Sequence, residues 1–520
     1  MAIASPALAR RFDSRFAVAL GLLILLLAVE LALFWVGYQG SDDQAYAEGG
    51  FGWLEHFPYV GDSHWTLRHT IVLPIALSFR LLGISEFALA LVNVVYLVAF
   101  LAVNFFCLRR YFGDAMALTA SFIAATVPMF VVGATYVNTD VAELFFIALA
   151  AWLFLGAGDD PAHAGPRLIV AGIAAGLGFL TRETTLALLV AWGVTFLFRP
   201  LLPRRLYWLM AVGFLAIVAL DMAYLWHFAG DPLYRFHIDA HHDHVDRAAD
   251  VARVHASGAL FDLEGNLSVS VWLDPILVLL VTQKYALLFW AAVPAMAATL
   301  RKNNLGCDQA RVLRFLALLF VVWVLFIGLN AEILYISPRY YLVTAWIASV
   351  FVGYWLVALW DDRRRLVGAA IVLALLGGDF ACLSVENIDP RYGERQLARL
   401  AASHNETIYA DPQTARRAGL LLRIDGAAGR VKDASPQPGA LYLYNPDAFA
   451  ACRASFRCND DMTGYAPRAD WIALEHDAPR PRLMGRIVAA TGLASLLPAP
   501  VLKKLLVGAP GVTLYRVPPG

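Results

Sequence analysis

Long apolar runs dominate the pattern of hydrophobic and polar positions along the chain as far as Ser384. A helix of about 20 apolar residues crosses a bilayer core about 30 Å thick. Runs of about this length predict spans over residues 16–37, 87–108, 115–137, 139–157, 206–228, 276–299, 312–330, 340–360 and 366–384. The pattern therefore predicts an α-helical polytopic membrane protein.

The apolar stretch over residues 168–198 calls for a different interpretation. As one helix it would be roughly 46 Å long at about 1.5 Å per residue. It would also bury Arg182 and Glu183 in the middle of the bilayer, at a cost of several kcal/mol. Two short spans hinged at residues 181–183 avoid that cost, so we predict about eleven spans in all.

The distribution of arginine and lysine supports the hinge, because short cytoplasmic loops collect these residues. With eleven spans and a cytoplasmic N-terminus, the basic clusters fall on the cytoplasmic side. These clusters are Arg10/Arg11/Arg15, Arg109/Arg110, Arg167, Arg199/Arg204/Arg205, Arg301/Lys302/Arg311/Arg314 and Arg363/Arg364/Arg365. Merging the hinged pair into one span would move every later cluster to the opposite face.

Three parts of the chain are then extracytoplasmic: the loops over residues 38–86 and 229–274, and the tail over residues 385–520. Aromatic and polar residues alternate in the first loop, which predicts short helices lying in the membrane interface. The tail is less hydrophobic and has strand-like runs at residues 407–410, 440–444 and 511–515. We predict a transmembrane domain over residues 1–384, followed by a small extracytoplasmic α/β domain.

The amino-acid composition narrows the class of protein further. Of the 520 residues, 60% are hydrophobic and 16% are charged, and the formal net charge is zero. Soluble proteins carry roughly 25% charged residues, and nucleic-acid-binding surfaces are basic. We therefore expect partners in the bilayer and at its faces, and no nucleic acid.

Two acidic groups lie at predicted outer ends of spans. Asp42 and Asp43 follow the first span, where like-charge repulsion raises the pKa of each carboxyl, so that one can act as a base while the other binds a cation. Asp140 and Glu143, at i and i+3, share one side of the fourth span. The alternative for both groups is helix capping: Asp as the N-cap of an interfacial helix in the first, and Asn138 or Asp140 in the second.

Outer cationic residues are few, so each is a candidate contact for an anionic phosphate, which paired arginine or lysine donors bind well. Arg68, Arg339 and Lys284 are such candidates, and snorkelling to the headgroups is the alternative. At the hinge, Arg182 either pairs with Glu183 as a structural bridge or faces a phosphate.

Two further sets of residues carry weaker signals. His237 and His241, at i and i+4, have the spacing of a divalent-metal pair, although a solvated polar loop explains them equally well. Glu30 and Asp221 lie inside apolar spans, where acids are often functional, although pairing or snorkelling also accounts for them.

Several motifs in order resemble the GT-C superfamily of glycosyltransferases, in the branch of the protein O-mannosyltransferases and lipid A aminoarabinose transferases. The resemblance covers roughly residues 16–385. It rests on Asp42-Asp43 with Tyr46-Ala47, His64-Trp65-Thr66-Leu67-Arg68-His69 before a helix ending in Leu82-Gly83, Asn138-Thr139-Asp140, the run from Gly176 to Glu183, and Pro338-Arg339-Tyr340-Tyr341-Leu342. Arg182 departs from the pattern, which usually has lysine there, and two prolines common after the first-loop motif are missing.

The resemblance implies an inverting transfer of a hexose or pentose from an undecaprenyl- or dolichyl-phosphate sugar to an extracytoplasmic glycan, lipid or protein, in the plasma (inner) membrane. Asp42 or Asp43 would deprotonate the acceptor hydroxyl or hold a metal, and Asp140 would line the same cavity. The other residues implied to bind substrate are His64, Tyr46, Arg68, Arg182, Glu183, Lys284, Arg339 and Tyr340. A divalent metal, if one is used, would take Asp42, Asp140 and Glu143.

A transporter or lipid flippase is the main alternative. Glu30, Asp140, Glu143 and Asp221 would then line a polar path, and we would expect acids near the midplane and repeat symmetry between the two halves. A non-catalytic assembly subunit with a wall-binding tail is a third possibility.

Overall fold

The computed structural model describes residues 14–240, 256, 269–270, 272–301, 305–330, 336–386, 391–454, 462–479, 481, 483–497, 499–502, 505–506 and 510–519. Helices are numbered α1 to α22 in chain order. They are Ser14–Leu33, Asp42–Glu55, His69–Leu82, Glu86–Phe112, Asp114–Thr126, Pro128–Ala134, Thr139–Ala157, Ala164–Thr181, Leu186–Phe198, Tyr207–Ala229, Tyr234–Ala240, Asp274–Val281, Leu288–Leu300, Cys307–Leu329, Leu342–Asp361, Arg365–Glu386, Tyr392–Ser403, Pro412–Arg417, Gly419–Ile424, Pro446–Ala454, Leu483–Thr491 and Ala499–Leu502.

The helices confirm a multi-pass membrane protein. Among the described residues, 8 helices are long and apolar enough to cross a membrane, or up to 9 if the bent pair α5 and α6 counts as one span. Three shorter apolar helices cover His69–Leu82, Glu183–Phe198 and Leu288–Leu300. The predicted count of about eleven spans stays a prediction.

The predicted hinge is present. Helix α8 ends at Thr181, a short 3-10 turn covers Glu183–Thr185, and α9 begins at Leu186. The backbone of Arg182 is extended at this break, with φ −163° and ψ 139°. Arg182 and Glu183 are therefore at the ends of two short helices and not inside one long helix.

Two other predicted spans are broken where the sequence pattern suggested continuous helices. The span predicted over 115–137 bends by 66° between α5 and α6, because Pro128 has no backbone N–H to continue the helical bonding. The span predicted over 276–299 is two helices, α12 and α13. Between them, Ala286 has a positive φ of 45°, and the carbonyl of Lys284 accepts a hydrogen bond of 2.9 Å from the backbone N–H of Met129.

The chain divides into two compact units. Unit 1 consists of Met1–Phe34, Val60–Ile71 and Val92–Leu383, and unit 2 consists of Trp35–Tyr59, Val72–Leu91 and Ser384–Gly520. The last segment of unit 2 begins at Ser384, and most of the first loop also belongs to unit 2. The predicted division into two domains stays a prediction.

A mixed five-stranded sheet forms part of unit 2, with strands β1 to β5 at Ile408–Ala410, Val431–Lys432, Leu441–Tyr444, Ile472–Asp477 and Val512–Arg516. The strand order is β2-β1-β3-β5-β4. Strand β1 pairs in parallel with β2 and β3, whereas β5 is antiparallel to β3 and β4. The three strand-like runs read from the sequence correspond to β1, β3 and β5.

Helices α8 and α10 of unit 1 approach closely at two glycines. A β-carbon on Gly172 would meet the backbone of Met210, and one on Gly213 would meet the backbone of Ile169. Small residues let membrane helices pack backbone against backbone, so these glycines fix the interhelical distance.

We expect Gly172→Ala and Gly213→Ala each to lower the free energy of unfolding by about 1–3 kcal/mol, because the added methyl group forces the two backbones apart. Thermal unfolding of the purified protein in detergent measures the effect. Gly193→Ala is the matched control, since a β-carbon there meets nothing within 4 Å. Equal melting temperatures for Gly172→Ala and Gly193→Ala would contradict the packing argument.

Candidate functional site

A buried ionic cluster in unit 1 forms around Asp140, in the first turn of α7. The Arg182 guanidinium donates to Asp140 Oδ1 and lies 4.1 Å over the ring of Tyr340. The side chain of Asp140 is only 2% exposed, and its Oδ2 has no hydrogen-bond partner among the described residues. Asp140 therefore keeps one buried acceptor atom that no described residue satisfies.

Glu143 lies one turn further along α7 and faces the same hinge. It accepts hydrogen bonds from the hydroxyls of Thr184 at 2.6 Å and Thr185 at 3.0 Å. The prediction that Asp140 and Glu143 share a helix face is confirmed, since both contact residues 182–185. Of the capping alternatives, Asn138 is the N-cap: it accepts from the backbone N–H groups of Asp140 and Val141 at 3.0 and 3.2 Å.

Arg182 and Glu183 do not pair with each other, so the predicted structural bridge is wrong. Adjacent residues point in different directions, and each finds its partner elsewhere. Arg182 binds Asp140, whereas Glu183 lies 3.6 Å from the guanidinium of Arg68. Arg68 also approaches the hydroxyl of Thr139 at 3.5 Å. The hinge thus connects two arginines to two acids.

The predicted Pro338–Tyr341 motif forms a 3-10 turn at the start of α15 and joins the same cluster. The guanidinium of Arg339 lies 5.6 Å from the Tyr340 ring centroid. Two buried side chains hold the turn: Tyr285 donates to the carbonyl of Pro338 at 2.5 Å, and Trp323 donates to the carbonyl of Tyr340 at 2.7 Å. Two guanidinium groups therefore lie close to the ring of Tyr340, on a backbone that Tyr285 and Trp323 hold.

A second buried network contains residues that the sequence left undecided. Asp221 accepts from Arg235 Nε at 2.9 Å and lies 3.0 Å from His69 Nδ1, so pairing accounts for this intramembrane acid. Arg235 also donates to the carbonyl of Leu67 at 2.5 Å. The network holds the carbonyl of Leu67 and the side chain of His69, the two neighbours of Arg68. Arg235 belongs to none of the sequence motifs. Its role is visible only from its contacts with Asp221 and Leu67 in the folded chain.

The opposite end of α7 carries another ionic cluster. Asp159 pairs with Arg311, lies 3.0 Å from Arg110, and accepts from the Tyr111 hydroxyl at 2.6 Å. A helix the length of α7 is about 28 Å long, close to the thickness of a bilayer core. The two clusters therefore lie at opposite ends of one span.

The acidic loop, residues 37–43, belongs to unit 2 and leads into α2. Asp43 is 1% exposed and accepts three backbone N–H groups, from Gln39 at 2.5 Å, Ser41 at 2.9 Å and Gln44 at 3.1 Å. Burial raises the pKa of Asp43 to about 6, against these hydrogen bonds. Asp42 is the first residue of α2 and is half-buried. The adjacent acids thus have different environments, which the sequence could not distinguish.

The other predicted site residues have separate surroundings. His64 is buried against the ring of Trp65 at 3.8 Å, and Tyr46 is 1% exposed in α2. Lys284 lies in the break between α12 and α13. His237 lies 2.7 Å from Asp231, and His241 is outside the described residues, so the predicted histidine pair stays a prediction.

A divalent metal does not fit the acids of unit 1. Arg182 already neutralises Asp140, and one carboxylate oxygen of Glu143 accepts hydrogen bonds from two hydroxyls. A divalent cation at Asp140 would lie directly against a guanidinium group. In the described part of the chain, no three His, Cys, Asp or Glu side chains are grouped to hold an ion. The contacts of Asp140 and Glu143 are therefore those of a salt bridge and hydroxyl hydrogen bonds, not of a metal centre.

Comparison with known structures identifies the fold class of this protein. The structure resembles ArnT from Cupriavidus metallidurans in the apo state, with TM-score 0.56 and 14% identity over 87% of this chain and 100% of that one. It resembles ArnT bound to undecaprenyl phosphate similarly, with TM-score 0.56 and 15% identity over 86% and 99% of the two chains. The archaeal oligosaccharyltransferase AglB from Archaeoglobus fulgidus, in complex with an inhibitory peptide and a dolichol-phosphate, matches with TM-score 0.52 and 13% identity over 80% and 64%.

The protein therefore has the fold of the GT-C glycosyltransferases, and the resemblance read from the sequence is confirmed. More particularly, residues 70–224 match the family model of the dolichyl-phosphate-mannose-protein mannosyltransferases. A search of the curated proteins finds no match. The predicted enzyme class, a glycosyltransferase, is the class of the matched family and structures.

Proposed function

We propose that this protein transfers a hexose or pentose from a polyprenyl-phosphate donor to an extracytoplasmic glycan, lipid or protein, with inversion at the anomeric carbon. Two of the similar structures contain a lipid phosphate of this kind, undecaprenyl phosphate in ArnT and dolichol-phosphate in AglB. The protein would lie in the plasma (inner) membrane, with residues 385–520 as an extracytoplasmic domain.

The proposed orientation follows from the two ends of α7. The Asp159 end contains Arg110, Arg167 and Arg311, and short cytoplasmic loops are rich in such residues. The Asp140 end is then extracytoplasmic. In this proposed orientation, the charged cluster would lie on the face where polyprenyl-linked sugars are consumed.

The observation that carries the proposal is the buried cluster of Asp140, Arg182 and Tyr340, with Arg68 beside the hinge. Guanidinium groups bind phosphate through parallel hydrogen bonds. Oδ2 of Asp140 has no partner among the described residues and is suited to accept a hydroxyl of the donor sugar. A ligand with both phosphate and hydroxyl groups matches this combination.

In the proposed reaction, Asp42 accepts the proton of the acceptor hydroxyl, and the hydroxyl oxygen forms a bond to the anomeric carbon. The bond from that carbon to the phosphate oxygen breaks, and the polyprenyl phosphate leaves with the electron pair. Arg68, Arg182 and Arg339 are proposed to stabilise the charge that develops on the phosphate. That Asp42, Asp43 and Asp140 line one cavity stays a prediction, because they belong to different units.

The test is a transfer assay with purified protein in liposomes, using a panel of undecaprenyl-phosphate-linked hexoses and pentoses. We expect release of undecaprenyl phosphate with one donor and incorporation of its sugar into an envelope extract. Movement of intact donor across the liposome membrane without bond cleavage would instead support a flippase and overturn the proposal.

A further inference from the structure

A C-terminal arm, residues 391–423, contacts the acidic loop within unit 2. The arm consists of Arg391, α17, β1, α18 and α19. The Arg391 guanidinium donates to the carbonyl of Gln39, and Arg395 donates to the carbonyl of Tyr38 at 3.4 Å. In the other direction, from the loop to the arm, the Tyr38 hydroxyl donates to the carbonyl of Arg417 at 2.8 Å. The backbone just before Asp42 and Asp43 is thus held by residues more than 300 positions later in the sequence.

The arm also holds the far end of α2 and the start of α4. Arg423 pairs with Glu55, the last residue of α2, and its guanidinium lies 3.7 Å over the ring of Phe51. Arg395 forms an ion pair with Glu86, whose carboxylate also accepts from the backbone N–H of Tyr38 at 3.3 Å. Both ends of the helix that begins with Asp42 are therefore fixed by the same arm.

The acidic loop needs this support because of its glycines. Gly37 and Gly40 have φ values of 77° and 57°, and glycine has the largest conformational freedom to lose on folding. A β-carbon on Gly40 would lie 3.1 Å from Arg417 and 3.2 Å from Nε of Arg391. The arm thus packs directly against Gly40 of the loop.

We propose that the C-terminal arm is a positioning element, in which Arg391, Arg395 and Arg423 hold the acidic loop and α2 so that Asp42 keeps a fixed orientation. The inference rests on the proposed function for the role of Asp42. It gives the first part of the C-terminal region a role in positioning the proposed base.

A charge swap tests the arm. We expect Arg395→Glu and Glu86→Arg each to reduce kcat for sugar transfer about 10-fold to 100-fold, since misplacement by about 1 Å has effects of this size. The double variant, with the charges exchanged, is expected to recover most of the rate. Arg399→Glu is the matched control, because Arg399 is on the same helix but pairs with Glu475 and Asp477.

Hydrogen exchange provides a readout that needs no activity. The backbone N–H groups of Gln39, Ser41 and Gln44 are held by Asp43, so a peptide covering residues 38–48 should exchange slowly. We expect faster exchange in each single variant and slow exchange again in the swap. If wild-type protein shows no transfer while exchange responds in this way, the proposed function fails and the arm's hold on the loop stands.

Gly40→Ala is a second variant that leaves every arginine in place. We expect it to speed exchange over residues 38–48 and lower the rate, because the methyl group displaces Arg391 and Arg417. Gly83→Ala is its control: Gly83 also has a positive φ, of 79°, but a β-carbon there meets nothing within 4 Å. Equal effects of the two substitutions would assign the loss to backbone strain and count against the arm.

The kinetic constants separate positioning from a merely structural role. Arg391 contacts the backbone just before Asp42, so Arg391→Gln should lower kcat and leave the KM for the donor unchanged.

Faster exchange over residues 38–48, together with a lower kcat and an unchanged KM for the donor in Arg391→Gln, supports the proposal. A variant whose exchange and kcat match the wild type, or one that raises KM alone, overturns it.

Discussion

Replacing Asp42 with asparagine is expected to abolish sugar transfer while leaving the protein folded. A positioned general base contributes about 10²- to 10⁴-fold to rate, and asparagine cannot accept the acceptor's proton. Asp42 is half-buried at the start of α2, and asparagine has nearly the same size and shape, so the helix can form as before. The measurement is kcat with the donor identified in the liposome assay, alongside the melting temperature.

Asp43→Asn is the informative companion, because its effect should be on the loop. Both oxygens of Asp43 accept backbone N–H groups, and an asparagine has only one carbonyl oxygen. Its NH₂ group would face one of these donors, and an unsatisfied buried group costs about 1–3 kcal/mol. We expect lower stability and faster exchange in Asp43→Asn but not in Asp42→Asn. Full transfer by both single variants and by the double variant would remove the base from the mechanism.

Removing Arg182 is expected to have the largest effect on stability. Arg182→Met leaves Asp140 charged, 2% exposed and without its guanidinium. Breaking a buried ion pair by removing one partner costs about 3–5 kcal/mol, because an uncompensated charge remains. Arg182→Met should therefore melt well below the wild type, and Asp140→Leu in the same protein should restore much of the loss.

The double-mutant cycle for Arg182→Met and Asp140→Leu measures this coupling directly. A coupling free energy near zero would show that Arg182 does not depend on Asp140 and would contradict the cluster as described. Arg182→Lys keeps the positive charge but lacks the planar group that stacks on Tyr340. We expect the lysine variant to fold and to show a raised KM for the donor, which separates binding from folding.

Sequence patterns predicted the structure correctly where the conformation of a segment depends mainly on its own residues. The hinge at residues 181–183 followed from helix length and the cost of burying charge, and the structure breaks there. Strands β1, β3 and β5 followed from strand-like runs. The span predicted over 115–137 missed the bend at Pro128, although the missing N–H was visible in the sequence.

Partners of charged residues could not be read in the same way. Arg182 and Glu183 are adjacent, yet side chains one residue apart do not face each other, and each pairs with a residue from another segment. Asp42 and Asp43 are equivalent as a sequence pair, but the fold buries one under three N–H groups and leaves the other half-buried.

The sequence by itself determined that the protein is a membrane-spanning helical protein with acids and arginines at the ends of its helices. These properties depend on local hydrophobicity and on the free-energy cost of a charge in a bilayer. Both can be read from the residues of a single segment. The tertiary structure alone decided which charges pair, that Asp43 holds the acidic loop, and that residues 391–423 contact it. Such contacts join segments hundreds of residues apart, and no local pattern encodes which distant surface a side chain will meet.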